Sequence, residues 1–327
     1  MPDNALVLGI LLGLGSALAS SLAYLASRRF TVRHAGHEQA EPQWRGPLRL
    51  MVTAHLYLAV ACGIAYFFLL PRSAEAQPAD WSWAITTSIF VALFYLTGNT
   101  LLFFALRRSE ASRIAPLLGM KIVLLALITH FFLGIELLPQ QWLAVALATL
   151  AALMLGSTGG RLPWAVVLFA LGACAGFVGS DIFIGQMVPA WLPTGLVIDD
   201  ATKQQRIQAA MTGMSLVYVW CGAIAFVLLP LAKPWQKQHW TGSAPYAGLW
   251  FIAMICLFSA FSLITLILVN ILQATRGLMS ILIGVAVMKL GHHHIESHAS
   301  LKVVIQRCIA AALMVGAIAL YVTAKAS

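Results

Sequence analysis

Charge is what this sequence has least of. Only 9% of its 327 residues are Asp, Glu, Lys or Arg, where a soluble domain carries about 25%. That excludes a water-facing shell wrapped around a single core. Acid is scarcer than base, with 11 carboxylates against 20 Lys and Arg and a net charge of +9. The five cysteines (Cys62, Cys174, Cys221, Cys256 and Cys308) form no CxxC pair. They read as small packing residues inside apolar segments, which excludes a thiolate metal site built on that spacing. The chain has no nucleotide-binding loop, no G-x-S-x-G elbow, no HExxH and no dinucleotide fingerprint. Any uphill work must therefore draw on an ion or solute gradient. Segments of about ten residues with alternating polarity, the mark of a membrane barrel, are also missing.

What the chain does have is apolar length. Hydrophobic residues make up 61% of it, in blocks of 18 to 26 residues parted by short polar breaks. A helix needs about 20 residues to cross a bilayer. The pattern predicts an all-α polytopic membrane protein with ten spans: 5–27, 49–70, 82–106, 111–135, 139–156, 163–188, 208–231, 246–271, 274–291 and 302–323. The first segment lacks a basic lead-in and a cleavage site, so it reads as a membrane helix and not as a removable signal.

Basic residues set the expected orientation. With the N-terminus outside, 14 Lys and Arg fall on inner loops and 5 on outer ones, Arg276 among the latter. This predicts both termini outside the cytoplasm of a bacterial inner membrane. The same asymmetry accounts for the positive net charge without nucleic acid as a partner.

The chain also repeats itself. Residues 105–155 and 272–320 each read as a basic elbow, an apolar helix, a break with a glutamate (Glu136, Glu296) and an alanine-rich helix. Small residues recur every four positions at Gly13, Ala17 and Ser21, and again at Gly172, Gly176 and Ser180. The halves 1–157 and 158–327 thus hold five spans each. An odd number of spans forces the second copy to insert upside down.

The stretch RIAPLLGMKIVLLALITHFFLGIELLPQQWLAVALATLAALML, with Pro116, Gly134 and Glu136, resembles the repeat of the drug/metabolite transporter superfamily, EamA type. The resemblance implies ten helices in two inverted five-helix repeats around a solute cavity. It implies metabolites, amino acids, drugs or sugar phosphates as cargo. By the same resemblance Arg276 and Arg113, in the elbows, are candidates for holding an anion. Here the basic loop lies between helices one and two, where family members carry it between two and three.

Ionisable groups inside a bilayer cost about 2.5–3.5 kcal/mol on insertion scales, so they face a cavity or a partner. Lys121 lies two turns into span four, and Asp181 is the one carboxylate well inside an apolar block. They are candidates for substrate binding together with Arg276, Asn99, Asn270 and Tyr24. Asp181 and His130 are candidates for proton coupling, the proton being the expected coupling ion. Tyr66, Tyr95 and Trp220 are further candidates for an aromatic wall. His55 reads as a helix-to-helix hydrogen bond. The run His292, His293, His294, Glu296 and His298 reads as an inner loop, with no metal or other cofactor expected.

These readings converge on a secondary-active transporter that moves a small metabolite or amphipathic solute by alternating access. The rival is a membrane-embedded enzyme acting on a lipid or polyprenyl substrate, with the histidine run as its site.

Overall fold

The computed structural model describes residues 4–35, 42, 44–69, 78, 80–109, 114, 117–156, 163–289 and 301–326. Within them the chain forms α1 (Asn4–Ala35), α2 (Arg45–Leu69), α3 (Trp81–Arg108) and a 3-10 turn (Leu117–Met120) that runs into α4 (Lys121–Phe131). Then follow α5 (Pro139–Gly156), α6 (Trp164–Ala190), α7 (Lys203–Ala232) and α8 (Lys237–Leu263). The last are α9 (Leu266–Ala274), α10 (Arg276–Lys289) and α11 (Leu301–Ala326). The described residues contain no strand, only one isolated bridge between Pro78 and Pro193.

Helix is what an apolar run must form in lipid, because no water is there to satisfy a bare N–H or C=O. Six helices of 25–30 residues are long and apolar enough to cross a membrane. Four shorter apolar helices accompany them: Leu117–Phe131, Pro139–Met154, Leu266–Ser280 and Cys308–Ala324. Polar residues mark the ends. Asp80 caps α3 by accepting from the Trp83 N–H at 3.0 Å. Thr202 and Gln205 close a capping box on α7. Gly134, with φ +67°, takes the left-handed position just after α4 that a side chain would strain. Large apolar side chains point outward, with Phe67, Phe132 and Val227 at 75–82% exposure. A water-soluble surface does not carry such a coat; hydrocarbon matches it. The chain is a multi-pass membrane protein.

Four pairings dominate the packing: α3 on α6, α1 on α8, α2 on α7, and α5 on α11. Glycine lets some of them close to backbone contact. A Cβ added to Gly176 would lie 2.7 Å from the Gly98 Cα, and one added to Gly222 would fall 2.1 Å from the Ala59 Cβ. The two small-residue ridges meet different neighbours. On α1, Gly9 faces Ile264 and Gly13 faces Leu272; on α6, Gly172 faces Leu101 and Gly176 faces Gly98.

Several expected boundaries move: α1 runs to Ala35 where the span was expected to end at 27, and α8 starts at Lys237 where it was expected at 246. The shift that reaches the pocket is at the other end of α8. The sequence suggested a span at 246–271 and an outer elbow at 272–276. Instead α8 ends at Leu263, the chain turns at Ile264 and Thr265, and α9 and α10 follow with a single-residue break at Thr275. The apolar run from Trp250 to Val269 holds no charge, so hydropathy gives no sign of the turn inside it. Arg276 is therefore no outer-loop residue: it is 4% exposed, within the bundle.

A charged pocket at two helix breaks

Two cations open helices immediately after an interruption. Lys121 is the first residue of α4, following the 3-10 turn, and Arg276 is the first of α10, following Thr275. At Thr275 the backbone N–H donates to the Leu272 carbonyl at 3.1 Å, a bond of 3-10 type. Both cations are buried, as is Asp181 on α6.

Lys121 and Asp181 meet. Nζ lies 3.0 Å from Asp181 Oδ2, and Asn270 Nδ2 donates to the same oxygen at 2.8 Å. The second Asn270 proton goes to the Leu266 carbonyl at 2.9 Å, which fixes the amide. Arg276 Nη1 donates to the Tyr24 hydroxyl at 3.2 Å and to Gln273 Oε1 at 3.5 Å. Its guanidinium also sits 5.7 Å from the centre of the Tyr24 ring. Helix α1 holds this segment from outside, because Ser21 Oγ donates to the Arg276 carbonyl at 3.0 Å. Among the described residues nothing pairs with Arg276 Nε or Asn270 Oδ1, although both are buried.

Lys121, Asp181, Gln273 and Arg276 line one cavity with Tyr95 and Trp250. Its volume is about 30 Å³, room for roughly two waters and no organic solute. The pocket is collapsed around its charges. Aromatic rings form the adjoining wall. Trp250 stacks on Tyr246 at 5.6 Å and on Tyr24 at 5.9 Å. A hydrogen-bond chain backs the wall. His55 Nδ1 donates to the Met51 carbonyl at 2.7 Å, so in the neutral ring Nε2 accepts from the Tyr95 hydroxyl at 3.0 Å. Asn99 Nδ2 then donates to Tyr95 and Tyr246 at 3.1 and 3.3 Å. His55 thus ties α2 to α3, as its sequence reading anticipated.

Of the candidate residues, Lys121, Asp181, Asn270, Arg276 and Tyr24 come together. Asn99 belongs to the wall's hydrogen-bond chain and not to the cavity lining. His130 is elsewhere. It is nine residues past Lys121, about 14 Å along the helix axis, with Nδ1 donating to the Ile135 carbonyl at 3.3 Å and its ring against Trp142. Tyr66 packs on Trp191, and neither Tyr66 nor Trp220 lines the cavity. Glu136 is exposed past the end of α4. Arg113, Pro116 and the run His292–His298 lie outside the described residues. Among the described residues no group of three or more His, Cys, Asp or Glu could hold a metal ion. Sequence reading missed the stripe Tyr246, Trp250, Met254 and Phe258. Its spacing of four was visible as one helix face, but it did not stand out from uniformly apolar surroundings.

Apolar helices gathered round a buried ionic pocket define a multi-pass membrane protein with a charged interior. Residues 7–157 match the EamA-like transporter family. That match, within the first half of the chain, supports assigning the chain to this family of the drug/metabolite transporter superfamily, whose members are membrane transporters. A solved crystal structure of a protein superposes on 95% of this chain and 95% of its own, at TM-score 0.61 and 16% identity. At that identity the likeness speaks for the fold alone. No curated protein sequence matches the chain.

Proposed function

We propose that this protein is a secondary-active transporter with ten spans in two inverted five-helix halves, 1–157 and 158–327. It moves its solute by alternating access around Lys121, Asp181, Asn270 and Arg276. The observation that carries the reading is the buried Lys121–Asp181 pair in a cavity of about 30 Å³ that Arg276 also lines, with helix breaks directly before Lys121 and Arg276. Discontinuous helices at mid-membrane are how such carriers place charge beside a solute.

The packing supports the inverted halves. If the five spans of each half correspond in order, a two-fold axis exchanges the α3–α6 pairing with α8–α1. It maps α2–α7 and α5–α11 onto themselves. Those are the four dominant pairings.

Asp181 is the better proton-coupling group, because it faces the cavity and His130 does not. In proteoliposomes under an imposed proton gradient, with a solute found by thermal-shift screening, the wild type should accumulate solute. Asp181→Asn should keep exchange but lose accumulation at least about tenfold, a tenfold change corresponding to about 1.4 kcal/mol. His130→Ala should stay within about twofold of wild type. Undiminished accumulation in Asp181→Asn removes the carboxylate from coupling. For topology, the charge asymmetry places both termini outside the cytoplasm of a bacterial inner membrane. A phosphatase fused after Ser327 should be active there, and a cytoplasmic reporter at that position should be silent.

A further inference from the structure

We infer that the transported solute is an organic anion with an aromatic or flat apolar body. The inference rests on the transport reading above and names the class of its cargo. It begins from the charge inventory of the pocket. Two buried cations, Lys121 and Arg276, line the cavity, and Asp181 is the only carboxylate there. Asp181 is engaged by Lys121 and Asn270. Arg276 has only neutral partners, the Tyr24 hydroxyl and the Gln273 amide oxygen, and its Nε has none among the described residues.

A buried ion without counter-charge is costly unless something supplies that charge. The pocket supplies one negative charge for two positive ones. A solute bearing one acidic group completes the balance, and a guanidinium with an open donor suits a carboxylate or a phosphate equally. A cationic solute would raise the imbalance to two.

The rest of the lining describes the remainder of the solute. Tyr95, Phe177, Trp250, Met254 and Phe258 offer rings and a thioether, with Ser20, Ser180 and Tyr218 adding hydroxyls to the lining. Phe177 lies beneath Lys121, with Nζ 5.7 Å from the ring centre, and Tyr24 lies beneath Arg276. An anion seated beside the cations therefore has the Phe177 and Trp250 rings of the lining for its body to stack against. The cavity must open to admit such a body. The charges that choose the solute are in place before it opens.

The test is equilibrium binding to the full chain in lipid nanodiscs, by calorimetry, with four probes of one shape: phenylacetate, phenyl phosphate, phenylacetamide and phenethylamine. At least one anion should bind about tenfold or more tightly than the amide, with no binding of the amine. Whichever anion leads identifies the acidic group. Arg276→Gln should weaken the anion by about tenfold, and Arg276→Lys, which keeps the charge but loses the planar fork, should weaken it less, which separates lost charge from lost folding. Amide or amine binding as tight as the anions overturns the inference. So does the absence of response to all four, or unaltered anion affinity in Arg276→Gln. If the amine binds and is carried across, the anion class fails and the transporter stands. If an anion binds but is never moved in proteoliposomes, the transport reading fails and the anion site stands.

Discussion

Replacing Lys121 with methionine is expected to unfold much of the protein, and a second substitution is expected to rescue the fold but not the function. Lys121→Met leaves Asp181 buried with Asn270 as its only hydrogen-bond partner. Removing one member of a buried ion pair costs about 3–5 kcal/mol, while replacing both with apolar residues is often neutral. The double variant Lys121→Met/Asp181→Leu should therefore melt near the wild type in detergent, because Asn270 keeps its bond to the Leu266 carbonyl. Its solute flux in proteoliposomes should be at background. A Lys121→Met protein that melts like the wild type would show the pair is open to water and unimportant to the fold. A double variant that transports would remove the pocket from the mechanism.

The second large effect is steric. Gly176→Ala puts a methyl 2.7 Å from both the Gly98 Cα and the Gly98 N, backbone atoms that cannot rotate aside. Overpacking costs about 1–3 kcal/mol in ordinary cores, and a clash with backbone belongs at the upper end. Gly176→Leu should leave little folded protein by size-exclusion chromatography. Gly248→Ala is the control, since nothing lies within 4 Å of its Cβ position. It should be neutral, or should gain up to about 1 kcal/mol from helix propensity. Equal behaviour of the Gly176 and Gly248 variants would mean that α3 and α6 do not touch there.

Much of this could be read from the residues alone, for identifiable reasons. Lys121 and Asp181 stood out because a charge inside an apolar run has no bland explanation. Helix ends near 69, 108, 156, 190 and 232 were legible from polar caps, proline and basic residues; the end of α1 at Ala35, eight residues past the expected 27, was not. The turn at Ile264 and Thr265 was not, because nothing polar larger than Ser262 and Thr265 marks it. That one hidden turn moved Arg276 from a supposed outer loop into the pocket. Whether Lys121 touches Asp181 was beyond sequence in principle: the contact joins helices 60 residues apart in the chain (181 minus 121). The aromatic wall was half visible. Tyr24 and Tyr95 were singled out, whereas Trp250 and Tyr246 were lost among similar neighbours.

A cavity that shuts to the size of two water molecules also sets an upper bound on cargo. Under the alternating access proposed above, any solute must leave room for the wall helices to meet again before the opposite side can part. An enlarged analogue with the right head group would dock and then wedge the bundle ajar. Chemists extending a good substrate should expect to arrive at an inhibitor.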